Sequence, residues 1–254
     1  MSNEPLQSQD PEDKRPPVAL VVGAGDAIGS AIVRRFAASG MTVCAARRNA
    51  EKLDPLMLEL TEAGYSAHAF ACDARNEESV ERLFATIEAD IGPLELVVFN
   101  VGANVPLGIL ETDSRKFLKI WEMACFAGFL TGREAARYMT KRGHGTLIFT
   151  GATASIRGAA GFAAFASAKA GLRALAQSMA RELGPQNIHV AHVVIDAAVD
   201  TDWVRGMVPE FDALLAQDGI VKPDELAANY LWLHQQPRSC WTFEMDVRPW
   251  VETW

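Results

Sequence analysis

The sequence predicts a single α/β domain: a doubly wound parallel sheet with helices on both faces. Three observations predict it. Short apolar runs alternate with longer amphipathic ones from residue 18 onward, the pattern of strand–helix–strand units. Several short runs are apolar at every position, as strands covered on both faces must be. No linker-like stretch interrupts the alternation, and 254 residues suffice for one domain with a large core.

Taken in order, VALVV at 18–22, TVCAA at 42–46, SAHAFA at 66–71, LELVVF at 94–99, TLIFT at 146–150 and HVAHVVI at 189–195 read as strands. Helical patterns fill the gaps near 28–39, 50–63, 76–90, 111–141 and 162–183. Right-handed crossovers between parallel strands then leave a doubly wound sheet. After Thr201 the pattern breaks into shorter helices near 202–216 and 223–235, the first a candidate lid with Trp203, Met207, Val208, Phe211 and Leu214 as an apolar wall. Residues 1–17 are polar and Pro-rich, with no apolar signal core, and read as a disordered leader to the domain at 18–254.

Apolar residues make up 49% of the chain and charged residues 22%, an ordinary globular composition. Acids outnumber Lys plus Arg by 32 to 24, a net charge of -8, which argues against nucleic acid as a partner. Cys44, Cys72, Cys125 and Cys240 lie far apart with no C-x-x-C pair, so neither a metal site nor a redox motif is indicated. No apolar run reaches the length of a membrane span. The default placement is cytoplasmic, with reduced thiols.

The first predicted strand runs directly into Val22-Gly23-Ala24-Gly25-Asp26-Ala27-Ile28-Gly29, where a helical pattern begins. Glycines let the backbone turn sharply and approach a pyrophosphate, while the helix N-terminus supplies N–H groups and positive dipole. Between the first strand and first helix of an α/β chain, this is a Rossmann-type dinucleotide site. The end of the second strand selects the nucleotide. An acid there suits the ribose hydroxyls of NAD, whereas Ala45-Ala46-Arg47-Arg48 offers two cations and favours NADP(H) over NAD(H).

These residues resemble the short-chain dehydrogenase/reductase family over roughly residues 17–201. Gly23 and Gly29 match the outer glycines of its Thr-Gly-x-x-x-Gly-x-Gly loop, with Val22 in place of the Thr and Ala27 in place of the middle Gly. Cys72-Asp73-Ala74 is similar to the segment whose Asp contacts the adenine, and Asn100-Val101-Gly102 to the Asn-Asn-Ala-Gly that lines the adenosine pocket. Ser167-Ala168-Lys169-Ala170-Gly171-Leu172 resembles the helix that carries the active-site Lys, and Asp200-Thr201 the segment whose Thr approaches the nicotinamide carboxamide. The resemblance thus implies a cofactor set of Gly23, Gly25, Ala27, Ile28, Gly29, Arg47, Arg48, Asp73, Ala74, Asn100, Gly102, Lys169 and Thr201. It also implies a homodimer or homotetramer.

The family's chemistry uses Asn, Ser, Tyr and Lys. Lys169 matches the Lys and is the one catalytic candidate, but four residues earlier stands Phe165, where the family has Tyr. Thirteen residues before Phe165, at the Ser position, stands Ala152, and Cys125 occupies the Asn position. Removing one positioned proton donor costs on the order of 10²–10⁴ in rate. Thr153 or Ser155 could substitute if the loop shifts register, and Asp196 could offer a proton or simply close a strand-end turn. His189 and His192, three apart on a strand, point to opposite faces and read as core or surface histidines. Two functions remain open: an NADP(H)-binding oxidoreductase with an atypical site acting on a small carbonyl or alcohol, or a catalytically inactive nucleotide-binding or scaffolding protein on the same fold.

Overall fold

The computed structural model describes residues 15–253, so predicted-leader residues 1–14 and the final Trp254 lie outside the described residues. Seven strands form one sheet: β1 (Val18–Val22), β2 (Thr42–Arg47), β3 (Ala67–Ala71), β4 (Leu94–Phe99), β5 (Gly145–Thr150), β6 (Ile188–Ile195) and β7 (Glu244–Val247). Their order is β3-β2-β1-β4-β5-β6-β7, and every neighbouring pair is parallel. Each crossover therefore passes over a face, and helices cover both. The winding reverses between β1 and β4, which opens a crevice beyond their carboxyl ends.

β1 and β6 are buried at every residue, the physical reason that β1 is wholly apolar and that β6 is apolar except for His189 and His192. The pleat divides each strand between two cores. Val18, Leu20 and Val22 face one core with Phe84, Phe99 and Phe149, while Ala19 and Val21 face the other with Ile32, Phe36 and Tyr230. Tyr230 is fully buried and shares a 2.9 Å hydrogen bond with the Thr150 hydroxyl, which satisfies two polar groups inside the second core.

The helices are α1 (Ile28–Ala38), α2 (Asp54–Glu62), α3 (Glu77–Thr86), α4 (Ser114–Trp121), α5 (Ala127–Arg142), α6 (Ala163–Leu183), α7 (Asp202–Arg205), α8 (Phe211–Ala216) and α9 (Pro223–His234). Side chains start several of them. Asn76 accepts from Ser79 N at 2.8 Å at the head of α3, and Asp113 accepts from Lys116 N at 2.8 Å at the head of α4. The helix predicted over 111–141 starts instead at Ser114. A wide turn over Glu122–Phe126, in which the Ala127 N–H reaches back to Glu122 O, links its two halves. The predicted helix over 202–216 is two short helices separated by residues 206–210. β7 carries no strand signal in its sequence, Glu-Met-Asp-Val. It exists because β6 offers an open edge and Arg173 grips Glu244 with two hydrogen bonds of 2.6 and 2.7 Å.

At the amino-terminal side, the Arg15 guanidinium donates to the carbonyls of Ala89 and Glu88, both at 2.8 Å. Among the described residues, no helix is long and apolar enough to cross a membrane.

Candidate functional site

The loop after β1 is built by its glycines. Gly23 has φ +92°, and a Cβ there would stand 2.8 Å from the backbone carbon and oxygen of Asn100. Asn100 in turn donates from Nδ2 to Gly23 O at 3.1 Å, so the ends of β1 and β4 are tied at the point where the winding reverses. Ala27, at the head of α1, has no side-chain oxygen for the helix cap; Ser30 N donates to Gly25 O at 2.9 Å, which leaves the Ile28 and Gly29 N–H groups for an anion.

Two clefts meet at this loop. The first, about 540 Å³, is lined by Gly23, Gly25, Arg47, Arg48, Lys52, Asp73, Ala74, Arg75, Asn100 and Gly102. The second, about 770 Å³, is lined by Gly23, Gly25, Ala27, Ile28, Gly29, Asn100, Thr201 and Trp203, with Asp26, Asp200, Asp202 and Asp224 among its acids. Gly23, Gly25 and Asn100 belong to both, so the two form one groove over the sheet edge. Of the predicted lid's apolar residues, Trp203 reaches this groove, while Phe211 is buried beneath the Arg205 guanidinium.

The charges are unevenly divided. Four cations, Arg47, Arg48, Lys52 and Arg75, line the first cleft against the single acid Asp73. Arg47 bridges to Asp26 at 2.7 Å, and Arg75 holds Asp73 through hydrogen bonds of 2.9 and 2.6 Å. That grip keeps the Asp73 carboxyl below its ordinary pKa. Arg48 and Lys52 are exposed and make no salt bridge among the described residues. Sequence reasoning named Arg47, Arg48 and Asp73 but missed Lys52 and Arg75. Their spacing, four residues past Arg48 and two past Asp73, was the available signal.

The model of the short chain dehydrogenase family matches residues 17–210. The chain belongs to that family. It is 30% identical over 200 residues to the 3-oxoacyl-[acyl-carrier-protein] reductase MabA of Mycobacterium tuberculosis, covering 77% of this chain and 76% of that protein. Among solved structures, it is similar to a short-chain dehydrogenase from Rhodopseudomonas palustris (52% identity, TM-score 0.80, covering 92% of this chain and 99% of that one). It is also similar to a metagenomic short-chain oxidoreductase in complex with NADP (25% identity, TM-score 0.79, covering 93% and 98%).

In this short-chain dehydrogenase, Lys169 projects from α6 and is buried beside the carboxyl ends of β4 and β5. Its Nζ donates to Thr150 O at 2.7 Å and Val101 O at 3.1 Å, and burial pulls its pKa down to about 8. The charge persists because two carbonyl dipoles receive it. Cys125, on the wide turn between α4 and α5, is buried and close enough for the two groups to influence each other's ionisation.

Phe165 lies one turn before Lys169, with its ring centre 6.0 Å from Nζ. It packs with Ala103, Ile120 and Ala164, and Met123, Phe162 and Ala152 lie against the same cluster. The structure thus brings Ala152 and Phe165 together on one apolar wall. The neighbouring hydroxyls point elsewhere. Thr153 donates to Asp196 Oδ1 at 2.5 Å, and buried Ser155 accepts from Ala152 N at 3.1 Å. Asp196 is itself buried, bound by Arg157 at 3.2 Å and Arg248 at 3.1 Å, so its carboxylate ties three segments together.

The two histidines do face apart. His189 stacks on Trp241 at 4.9 Å between ring centres and shares a hydrogen bond with Thr242 O at 2.9 Å. His192 is wholly buried, with Nδ1 3.0 Å from Glu244 Oε2, and burial pulls its pKa down to about 4.

Proposed function

We propose that this chain binds NADP(H) along the groove and acts as an oxidoreductase on a small, largely apolar substrate at a carbonyl-type carbon. The observation that carries the cofactor choice is the surplus of cations at the cleft after β2, where Arg48 and Lys52 stand ready for a 2′-phosphate. The fit is supported by the uncapped head of α1 for the pyrophosphate and by Asp73, Ala74, Asn100 and Gly102 around the adenosine end. The dinucleotide, when bound, supplies or accepts the hydride.

The chain's own groups hold and orient. Lys169 would take the nicotinamide ribose hydroxyls with the proton not donated to Thr150 and Val101. Thr201 accepts from Val204 N at 3.1 Å as the cap of α7, which leaves its O–H free to meet the carboxamide. Assembly as a homodimer or homotetramer is proposed from the family resemblance.

Calorimetric titration with NADPH and NADH tests this reading. NADPH is expected to bind more tightly, and the Arg48→Ala/Lys52→Ala protein should lose about 10–100-fold of its NADPH affinity, as befits two charge-assisted contacts. NADH affinity should stay unchanged. Equal loss for both nucleotides would place the two cations outside the phosphate site. The second reading, a nucleotide-binding protein without turnover, is favoured by Phe165 and Ala152 alone. It predicts NADPH binding with no consumption by any hydride acceptor.

A further inference from the structure

We propose that the cleft after β2 reads the purine of its dinucleotide through Arg75, and therefore takes a 6-oxopurine, hypoxanthine, as readily as adenine. The proposal rests on the NADP(H) reading above and names the base chemistry for it.

The place of the base follows from the groups around it. With the pyrophosphate at the glycine loop and the 2′-phosphate at Arg48 and Lys52, the base on that same ribose is left the rest of the first cleft. Val101, Met123 and Ala127 line this cleft and offer apolar cover to the faces of a flat ring. Asp73 and Arg75, from the loop after β3, are the charged groups that remain for its edge.

A free carboxylate at that edge would accept from the 6-amino group of adenine and repel the 6-oxygen of hypoxanthine. Asp73 is not free. Its Oδ1 accepts from Arg75 Nε at 2.9 Å and from Arg75 N at 3.1 Å, and its Oδ2 accepts from Arg75 Nη2 at 2.6 Å. The Asp73 N–H also donates to Ser79 Oγ at 3.3 Å, which steadies the loop beneath the pair.

The pair therefore shows the cleft both a donor and an acceptor. Two of the five guanidinium N–H groups are spent on Asp73, and the other three make no hydrogen bond among the described residues. Because the group is planar, Nη1 and Nη2 share a free edge that can meet two acceptors at once. Hypoxanthine carries such acceptors, O6 and N7, in the pairing by which Arg recognises guanine. Adenine would use N7 for Arg75 and its amino group for the lone pair left on Asp73 Oδ2. Neither base leaves a polar atom facing its own kind.

The test is calorimetry on the full chain with NADPH and with reduced nicotinamide hypoxanthine dinucleotide phosphate, which differ only at position 6 of the purine. The two affinities should agree within about threefold. Arg75→Leu frees Asp73, so the hypoxanthine dinucleotide should weaken by about tenfold or more while NADPH stays within about threefold. Arg75→Lys keeps the charge and loses the two-donor edge, and it should shift the ratio the same way by about fivefold. A change confined to folding would lower both affinities and leave their ratio alone.

A larger gap between the two dinucleotides in the unmodified chain, or an unchanged ratio in either folded variant, overturns the proposal and leaves the NADP(H) reading intact. A chain that binds neither dinucleotide overturns both.

Discussion

Gly23→Ala is expected to destabilise the protein by on the order of 3 kcal/mol and to abolish measurable NADPH binding. Two costs combine there. The φ of +92° is strained for any residue with a Cβ, and the added carbon would press within 2.8 Å of the Asn100 backbone. Neither neighbour can give way, because Gly23 O is held by Asn100 Nδ2 and Gly23 N donates to Ala46 O at 2.9 Å. Gly25→Ala is the informative partner, since a Cβ at Gly25 meets nothing within 4 Å. It should leave the melting temperature nearly unchanged and weaken NADPH binding by more than about tenfold if a pyrophosphate rests on that backbone. Thermal melts and calorimetry on the two variants separate the loop's structural role from its binding role. Unaltered NADPH affinity in Gly25→Ala would move the pyrophosphate off this loop.

The second large effect is acid lability set by His192. Burial lowers its pKa from 6.5 to about 4, against the partial support of the Glu244 carboxylate and with Lys169 and Arg173 acting in the same direction as burial. The folded state therefore refuses a proton that the unfolded chain takes up readily below 6.5. Stability from this group is complete above 6.5 and falls as the pH drops through the window down to about 4. The full loss is on the order of 3 kcal/mol. Denaturant melts at neutral and acidic pH should show this slope, and His192→Gln, which keeps a donor towards Glu244, should flatten it. His189 and His234 are also held low by burial, so a shallower slope of the same sign should remain. An identical slope in the variant would assign the acid lability to those two or to the carboxylates.

Much of the fold was legible because its cause is local. Six strands announced themselves as largely apolar runs, five of them because a strand covered on both faces tolerates little else, while the edge strand β3 is only half-buried. β7 could not be read this way. Glu244 and Asp246 contradict an apolar pattern, and the strand is held by partners from distant segments, namely β6 and the Arg173 guanidinium. The wide turn at Glu122–Phe126 was equally invisible, because its residues favour an ordinary helix and only the packing around Cys125 and α6 shows the extra residue in the turn.

The candidate site divides along the same line. Gly23, Gly29, Arg47, Arg48, Asp73 and Asn100 follow strand ends, where spacing from a recognisable strand locates them. Lys52 and Arg75 lie at short spacings from Arg48 and Asp73, but that they line one cleft follows from the turn after β2 and the loop after β3 converging there. Asp196, open in the sequence to a proton-donating role, is instead bound by Thr153, Arg157 and Arg248.

By itself the sequence determined the family pattern, the alternation of the first six strands with helices, the glycine loop, and the identity of the side chains at positions 152, 165 and 169. Periodicity and backbone demands act over a few residues, and so they can be read from a few residues. Only the tertiary structure decided that Ala152 and Phe165 share one apolar wall, that Lys169 rests on two carbonyls, and that cations gather at one half of the groove and acids at the other. Those are properties of distances between segments far apart in the chain, fixed by how the sheet and its covering helices pack.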